Sequence, residues 1–140
     1  MCATVDDERT DVTVVAVDSP DDIVKARQSG RELATRLGFT LTDVTMIATA
    51  ISEVARNITS YADRGEIHFS VEKYDGRTAF VVRAHDNGPG IADVSRALED
   101  GYSSGKGLGL GLPGAKRLMD RLEVHSEVGA GTVVEMWKWV

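Results

Sequence analysis

Fourteen glycines occur in this chain, and eight of them, Gly88, Gly90, Gly101, Gly105, Gly107, Gly109, Gly111 and Gly114, crowd into 27 residues. Glycine costs backbone entropy, so such density needs a reason. A loop whose amides must approach a ligand closely supplies one. This loop runs into a helix start, where free N–H groups and the helix dipole favour an anion. Phosphate binding is the chemistry it suggests, ahead of a plain flexible surface loop. Just before it, at the end of an apolar strand, comes Asp86-Asn87-Gly88-Pro89-Gly90. Asn-Gly and Pro-Gly serve tight turns. A strand-end carboxylate beside such a turn is also a good acceptor for an amino group on a base. Glu53 and Asn57, four apart, share a helix face; taken alone, such a pair reads as a solvated surface. Gly129-Ala130-Gly131-Thr132, taken alone, reads as a hairpin turn.

Several phosphate motifs drop out. The only Gly-Lys pair, Gly105-Lys106, is followed by Gly107, so the GxxxxGK[ST] loop is absent. Gly109-x-Gly111-x-x-Gly114 has the dinucleotide spacing, but it follows a polar loop rather than a strand. A eukaryotic-type protein kinase would need a VAIK lysine and an HRD loop, and neither is present.

The elements that must position these residues follow from periodicity and caps. Val12, Val14 and Val15 predict a strand over 11–17. Ser19, Pro20 and Asp22 form a helix start, apolar residues from Ile23 to Leu37 recur at helical spacing, and Gly38 is the stop, giving a helix over 20–37. Thr40 with Asp43 opens a second helix over 40–63. Its apolar stripe runs from Val44 to Ala62, with Glu53, Arg56 and Asn57 on the opposite side. Strands over 66–74 and 78–85 flank Asp75-Gly76, a strong hairpin signal. A short helix over 91–98, a full helix over 109–121, and strands over 122–127 and 132–139 complete the chain. The order βααββαββ, with the short helix set aside, is an α+β arrangement, helices packed on one face of a mixed, mainly antiparallel sheet. Trp137 and Trp139 share one face of the last strand and are expected to pack into a core.

Composition narrows the function. The chain has 140 residues, enough for one domain: a flexible acidic segment over 1–10 and a folded domain over 11–140. The net charge of −6, without a basic run, argues against nucleic acid. No apolar run approaches a membrane span or a signal peptide, so a cytoplasmic protein without membrane partners is expected. Cys2 is the only cysteine, and His68, His85 and His125 have no metal-ligand spacing.

In order, Glu53-x-x-x-Asn57, Asp86-x-Gly88-x-Gly90, Gly105-Lys106-Gly107-Leu108-Gly109-Leu110-Gly111 and Gly129-x-Gly131-Thr132 resemble the N, G1, G2 and G3 boxes of the GHKL ATPase and kinase superfamily. The resemblance covers about residues 11–140, and the superfamily's Bergerat fold, a two-layer α/β sandwich, matches the element order. Within it, 48–58, 99–120 and 127–139 look like RsbT-type serine/threonine switch kinases of the stressosome. One departure is Asn87, where that type often carries Glu; the acidic first ten residues lie outside the resemblance.

The resemblance implies ATP and Mg²⁺ as cofactors. It makes Glu53 the catalytic general base, Asn57 the Mg²⁺ ligand and Asp86 the acceptor for the adenine amine, with Thr132 in support. Gly88 and Gly90 let the backbone pass close to the base, while Gly105, Gly107, Gly109 and Gly111, with Leu108 and Leu110 between them, cradle the phosphates. Lys106 either adds charge there or is solvated, and Arg56 either lines the site or caps a partner interface. The implied partners are STAS-domain substrates of RsbS or RsbR type and an RsbU-type PP2C phosphatase, with a sigma factor a weaker candidate. The alternatives are an anti-sigma-factor kinase of RsbW or SpoIIAB type, an ATP-gated binding module with little catalysis, and a detached histidine-kinase ATPase domain.

Overall fold

A computed structural model describes residues 10–62, 64–90 and 111–140. The element order is β1 (Thr10–Val17), α1 (Pro20–Arg36), α2 (Leu41–Tyr61), β2 (Gly65–Tyr74), β3 (Arg77–Asp86), α3 (Gly111–Leu118), β4 (Arg121–Glu127) and β5 (Gly131–Trp139). The expected helix over 91–98 and the segment 1–9 lie outside the described residues.

Local signals start and stop the first elements. The Asp22 carboxylate accepts from the Asp18 and Ser19 amides at 2.9 and 3.2 Å, answering donors that α1 leaves free. Gly38, at φ +93°, takes the left-handed conformation that ends the helix. Thr40 caps α2 by accepting from the Asp43 amide at 3.1 Å. Asp75 and Gly76, at φ +53° and +83°, make the two-residue turn whose twist suits the β2–β3 hairpin.

The five strands are ordered β1-β2-β3-β5-β4, and every pairing among them is antiparallel, so the expected mixed sheet is corrected to a wholly antiparallel one over the described residues. Helices cover one face. Their core gathers Ile47, Ile51 and Ile58 of α2 against Ile67, Phe69, Phe80, Val82 and Met136 of the sheet. Gly30 brings α1 onto α2: a Cβ there would overlap the Ile51 side chain. No helix among the described residues is long and apolar enough to cross a membrane.

Two expectations change. The middle of α2 is buried all round: Ala50, Ile51, Ser52, Glu53, Val54 and Ala55 are all covered. Glu53 is therefore not on a solvated face, because α3 packs over that side. The last helix, expected over 109–121, ends at Leu118, with residues 109 and 110 outside the described ones. Lys138 Nζ donates to the Leu118 carbonyl at 2.9 Å, and the Asp120 amide donates to the Trp137 carbonyl at 2.9 Å. Strand β5 thus takes over the chain where helical spacing alone would continue it. Trp137 and Trp139 do pack into a core, a small one on the sheet face away from the helices. Trp137 is buried there with Ala79 and Val81, and Tyr74 and Trp139 pack against them.

Candidate functional site

Glu53 is 8% exposed and both its oxygens are held. Oε1 accepts from the Gly111 amide, the first of α3, at 3.0 Å. Oε2 lies 3.1 Å from the Arg56 guanidinium, one turn along α2. Burying a carboxylate is costly unless it is paired and hydrogen-bonded, and these contacts meet that cost. Gly111 itself sits at φ +67°, a left-handed conformation that suits glycine at this entry to α3. Asn57, one turn from Glu53, is half-buried and makes no side-chain hydrogen bond among the described residues. Its amide oxygen is a donor of the kind hard cations take, so the residue fits a Mg²⁺ ligand.

The second part of the site lies where β3 ends beside the C-terminal turn of α2. Asp86 Oδ1 accepts from the Gly88 amide at 2.8 Å, closing a tight turn. Its other oxygen is not engaged among the described residues, which suits an acceptor waiting for an amine. Thr132 pairs with Asp86 across β3 and β5, is buried, and its Oγ1 lies 2.9 Å from Ser126 Oγ. Ser126 also donates to the Gly131 carbonyl at 3.1 Å.

The glycines around Asp86 answer to the protein's own backbone. A Cβ at Gly131 would overlap the Asp86 carbonyl oxygen, and one at Gly90 the Glu127 carbonyl oxygen. One at Gly88 would stand 2.8 Å from the Tyr61 carbonyl oxygen. Close approach is therefore real at Gly88 and Gly90, but the described neighbours are α2 and β4. Gly105, Lys106, Gly107, Leu108, Gly109 and Leu110 lie outside the described residues. Of the expected phosphate cradle, only Gly111 is described.

The site thus has two ends along one helix. Glu53 and Asn57 mark one, and Tyr61 and Ala62, against Gly88, mark the other. From Glu53 to Ala62 the axis runs about 14 Å, at ~1.5 Å per residue. Residues 16–138 match the family described as the histidine kinase-like ATPase domain. The chain belongs to that family. Among its relatives, the serine/threonine-protein kinase RsbT of Bacillus subtilis is 45% identical over 130 residues, covering 93% of this chain and 98% of that one. An anti-sigma F factor of Pasteuria penetrans is 35% identical over 121 residues, covering 81% of this chain and 79% of its own. The crystal structure of the RsbU and RsbW domains of a Mycobacterium tuberculosis protein superposes with a TM-score of 0.62 at 18% identity. It covers 92% of this chain, which spans 32% of that longer one, and the likeness is one of fold.

Two residues of this candidate site escaped sequence reading. Gly65 reads locally as the end of α2, yet it opens β2 opposite Asp86. A Cβ there would overlap the His85 carbonyl oxygen and press on Ile58, with Asp86 Cβ 3.2 Å away. Ser126 carries no local signal at all; only the β4–β5 register brings it to Thr132. Arg56 was visible, but its pairing with Glu53 was not.

The opposite sheet face carries its own ion ladder. Glu72, fully buried, accepts from Ser70 at 2.7 Å and Tyr74 at 2.6 Å and is clamped by Arg83. Arg83 reaches on to Glu135 at 2.6 Å, and Glu135 lies 3.2 Å from His125. Burial alone would raise the Glu72 carboxyl, but hydrogen bonds from Arg83, Tyr74 and Ser70 bring it down to about 2. Its Glu72 hydrogen bond, against the cost of burial and with Glu135 assisting, pushes the Arg83 guanidinium further up. Burial and neighbouring His68 push His85 down. Glu123, His125 and Glu135 bring ligand atoms within 4.8 Å of one another. Each carboxylate there already holds a guanidinium, Arg121 on Glu123 and Arg83 on Glu135, so the cluster belongs to the ladder.

Proposed function

We propose that the protein is an ATP-dependent serine/threonine kinase of RsbT type that phosphorylates a STAS-domain partner of RsbS or RsbR type in the cytoplasm. The observation that carries this reading is the buried, doubly held Glu53, with Asn57 one turn away and open. A protein that only binds nucleotide has no need of a fixed carboxylate there.

Phosphoryl transfer asks a protein mainly for positioning and charge stabilisation. Adenine docks at the β3 end, its amine on the open oxygen of Asp86, while Thr132 and Ser126 support that wall. The phosphates point toward Asn57 and the start of α3. Asn57 would hold Mg²⁺, which when bound would supply charge to offset that of the phosphates. Glu53 takes the proton of the acceptor hydroxyl as that oxygen bonds to the γ-phosphorus. The bond from that phosphorus to the β,γ-bridging oxygen breaks, and ADP leaves. An RsbU-type phosphatase binds as a second partner through the same switch.

The test is incubation with Mg-ATP and the STAS-domain proteins of the same genome, read by intact mass. A gain of one phosphate on a STAS protein, absent with Glu53→Ala, is expected. Transfer by Glu53→Ala at the wild-type rate would remove the base role. The anti-sigma F relatives favour a second reading, ATP-gated binding. Tight binding of a sigma factor or STAS protein, with no transfer, would select it.

A further inference from the structure

We propose that Arg56 is a positioning residue for phosphoryl transfer: with the Gly111 amide, it holds the Glu53 carboxylate at two points. The inference rests on the reading of Glu53 as general base.

A glutamate carboxylate rotates about a broad terminal torsion, so a single hydrogen bond leaves its plane free to swing. Here two holders act from different directions. Oε1 takes the Gly111 amide from α3, at 3.0 Å. Oε2 takes the Arg56 guanidinium from α2 itself, at 3.1 Å, in the i,i+3 arrangement that brings helix neighbours together. One holder is backbone on a second element and the other is a side chain on the same element. Together they fix both the position and the plane of the group. An ionised carboxylate offers about four lone-pair sites. Two are used, which leaves room for an incoming proton.

The contact is only in part a device for stability. It offsets some of the cost of burying Glu53, but the Arg56 side chain is itself 48% exposed, and solvent screening weakens that contribution. The Gly111 amide already answers part of the burial of Glu53. What Arg56 adds is direction, and arginine suits that better than lysine because its planar fork is pre-organised. The pairing also separates the two roles open to Arg56 from the sequence. Its guanidinium is engaged inside the site before any partner arrives.

The experiment compares single-turnover transfer to the STAS substrate for wild type, Arg56→Ala and Arg56→Lys. Slow ATP hydrolysis by the protein alone gives the same comparison with water as acceptor. Nucleotide affinity and melting temperature are measured in parallel. Arg56→Ala should slow transfer by ~10–100-fold, the scale set by modest misplacement of a reacting group. Nucleotide affinity should stay within about twofold, and melting should fall only modestly, because the Gly111 amide still holds Glu53. Arg56→Lys should recover part of the rate, because an ammonium reaches the carboxylate as a point charge without the fork. On a Glu53→Ala background, Arg56→Ala should have no added effect, since it acts only through that carboxylate. An Arg56→Ala protein with wild-type transfer overturns the proposal. So does an equal loss on the Glu53→Ala background, which would place Arg56 at partner docking instead. Normal transfer by Glu53→Ala alone would strike the general-base reading first, and a wild type without transfer or hydrolysis overturns both.

Discussion

The two faces of the sheet treat charge in opposite ways. On the outer face Glu72 is satisfied four times over, by Ser70, Tyr74 and two nitrogens of Arg83. Arg83 in turn engages Glu135, and the chain of contacts runs on to His125. On the helix-covered side Asp86 keeps one oxygen open and Asn57 keeps its amide free of the described residues. Glu53 is held but not saturated. A closed network rigidifies the sheet and has nothing left to offer a ligand. Groups with capacity in reserve are those that can bind or move a proton. Burial alone does not separate the two, since Glu53 and Glu72 are both buried. The count of partners does.

The sharpest way to break this contrast is to remove one charge from each face. Glu53→Gln should lower transfer by ~10²–10⁴, or roughly 3–5 kcal/mol of barrier, and leave folding nearly unchanged because the amide keeps an acceptor for Gly111. Single-turnover rates and thermal melts check both halves. Glu72→Ala should do the reverse. It strands a guanidinium in a covered site, and although Glu135 remains to it, the loss of folding stability should be about 3 kcal/mol, with nucleotide affinity intact. If Glu72→Ala melts like wild type, the outer ladder is ornament and the contrast collapses.

The same residue gives the contrast a pH signature. The Glu72 carboxyl lies below its ordinary value of 4.5, at about 2 in the folded protein. A group depressed by folding contributes stability above its unfolded value and loses it as pH falls toward the folded one. The advantage of wild type over Glu72→Gln should therefore be full above about pH 5 and shrink steadily toward about pH 2. Urea unfolding of both proteins across that range checks it. A difference that grows on acidification would show that the ladder does not hold Glu72 ionised.

Much of the frame was legible because it is local. Ser19, Asp22, Thr40 and Asp43 act within one turn of helix, and Asp75-Gly76 closes its own hairpin. The family was legible too, as a resemblance carried by the order of the boxes. What hid was set by distant contacts. The face of Glu53 could not be read from α2, because its cover comes from Gly111, 58 residues on. The end of α3 is fixed by Lys138 and Trp137 of β5 rather than by any stop signal. The alternation of β5 shows that Trp137 and Trp139 share a face but not which one. The role of Gly65 appears only when β2 and β3 pair.

Gly131 tests the nucleotide side at smaller scale. It sits at φ +99°, and a Cβ there would overlap the Asp86 carbonyl oxygen. Gly131→Ala should cost about 1–3 kcal/mol in stability and weaken adenine nucleotides by displacing Asp86 and Thr132 together. Gly129→Ala is the control: it shares a left-handed conformation, at φ +84°, but meets nothing within 4 Å. It should carry the backbone penalty without the nucleotide defect. Equal nucleotide affinities in the two variants would deny the β3–β5 junction a part in base binding.

The smallest effect belongs to the rim of the outer face. The Arg77 guanidinium lies 4.4 Å from the centre of the Trp139 ring, and Arg121 lies 4.8 Å from that of Trp137. A cation over an exposed indole is worth ~0.5–1 kcal/mol. Arg77→Ala should lower stability by no more than that and leave transfer and nucleotide affinity untouched, because Arg77 meets Trp139 on the sheet face away from the helices. Arg77→Lys should keep part of the stabilisation, since an ammonium also sits over an aromatic face. Chemical denaturation resolves a difference of this size when both variants are measured beside wild type. A change in transfer rate on removing Arg77 would mean that the outer face communicates with the site, and partner count would then no longer separate the structural charges from the functional ones.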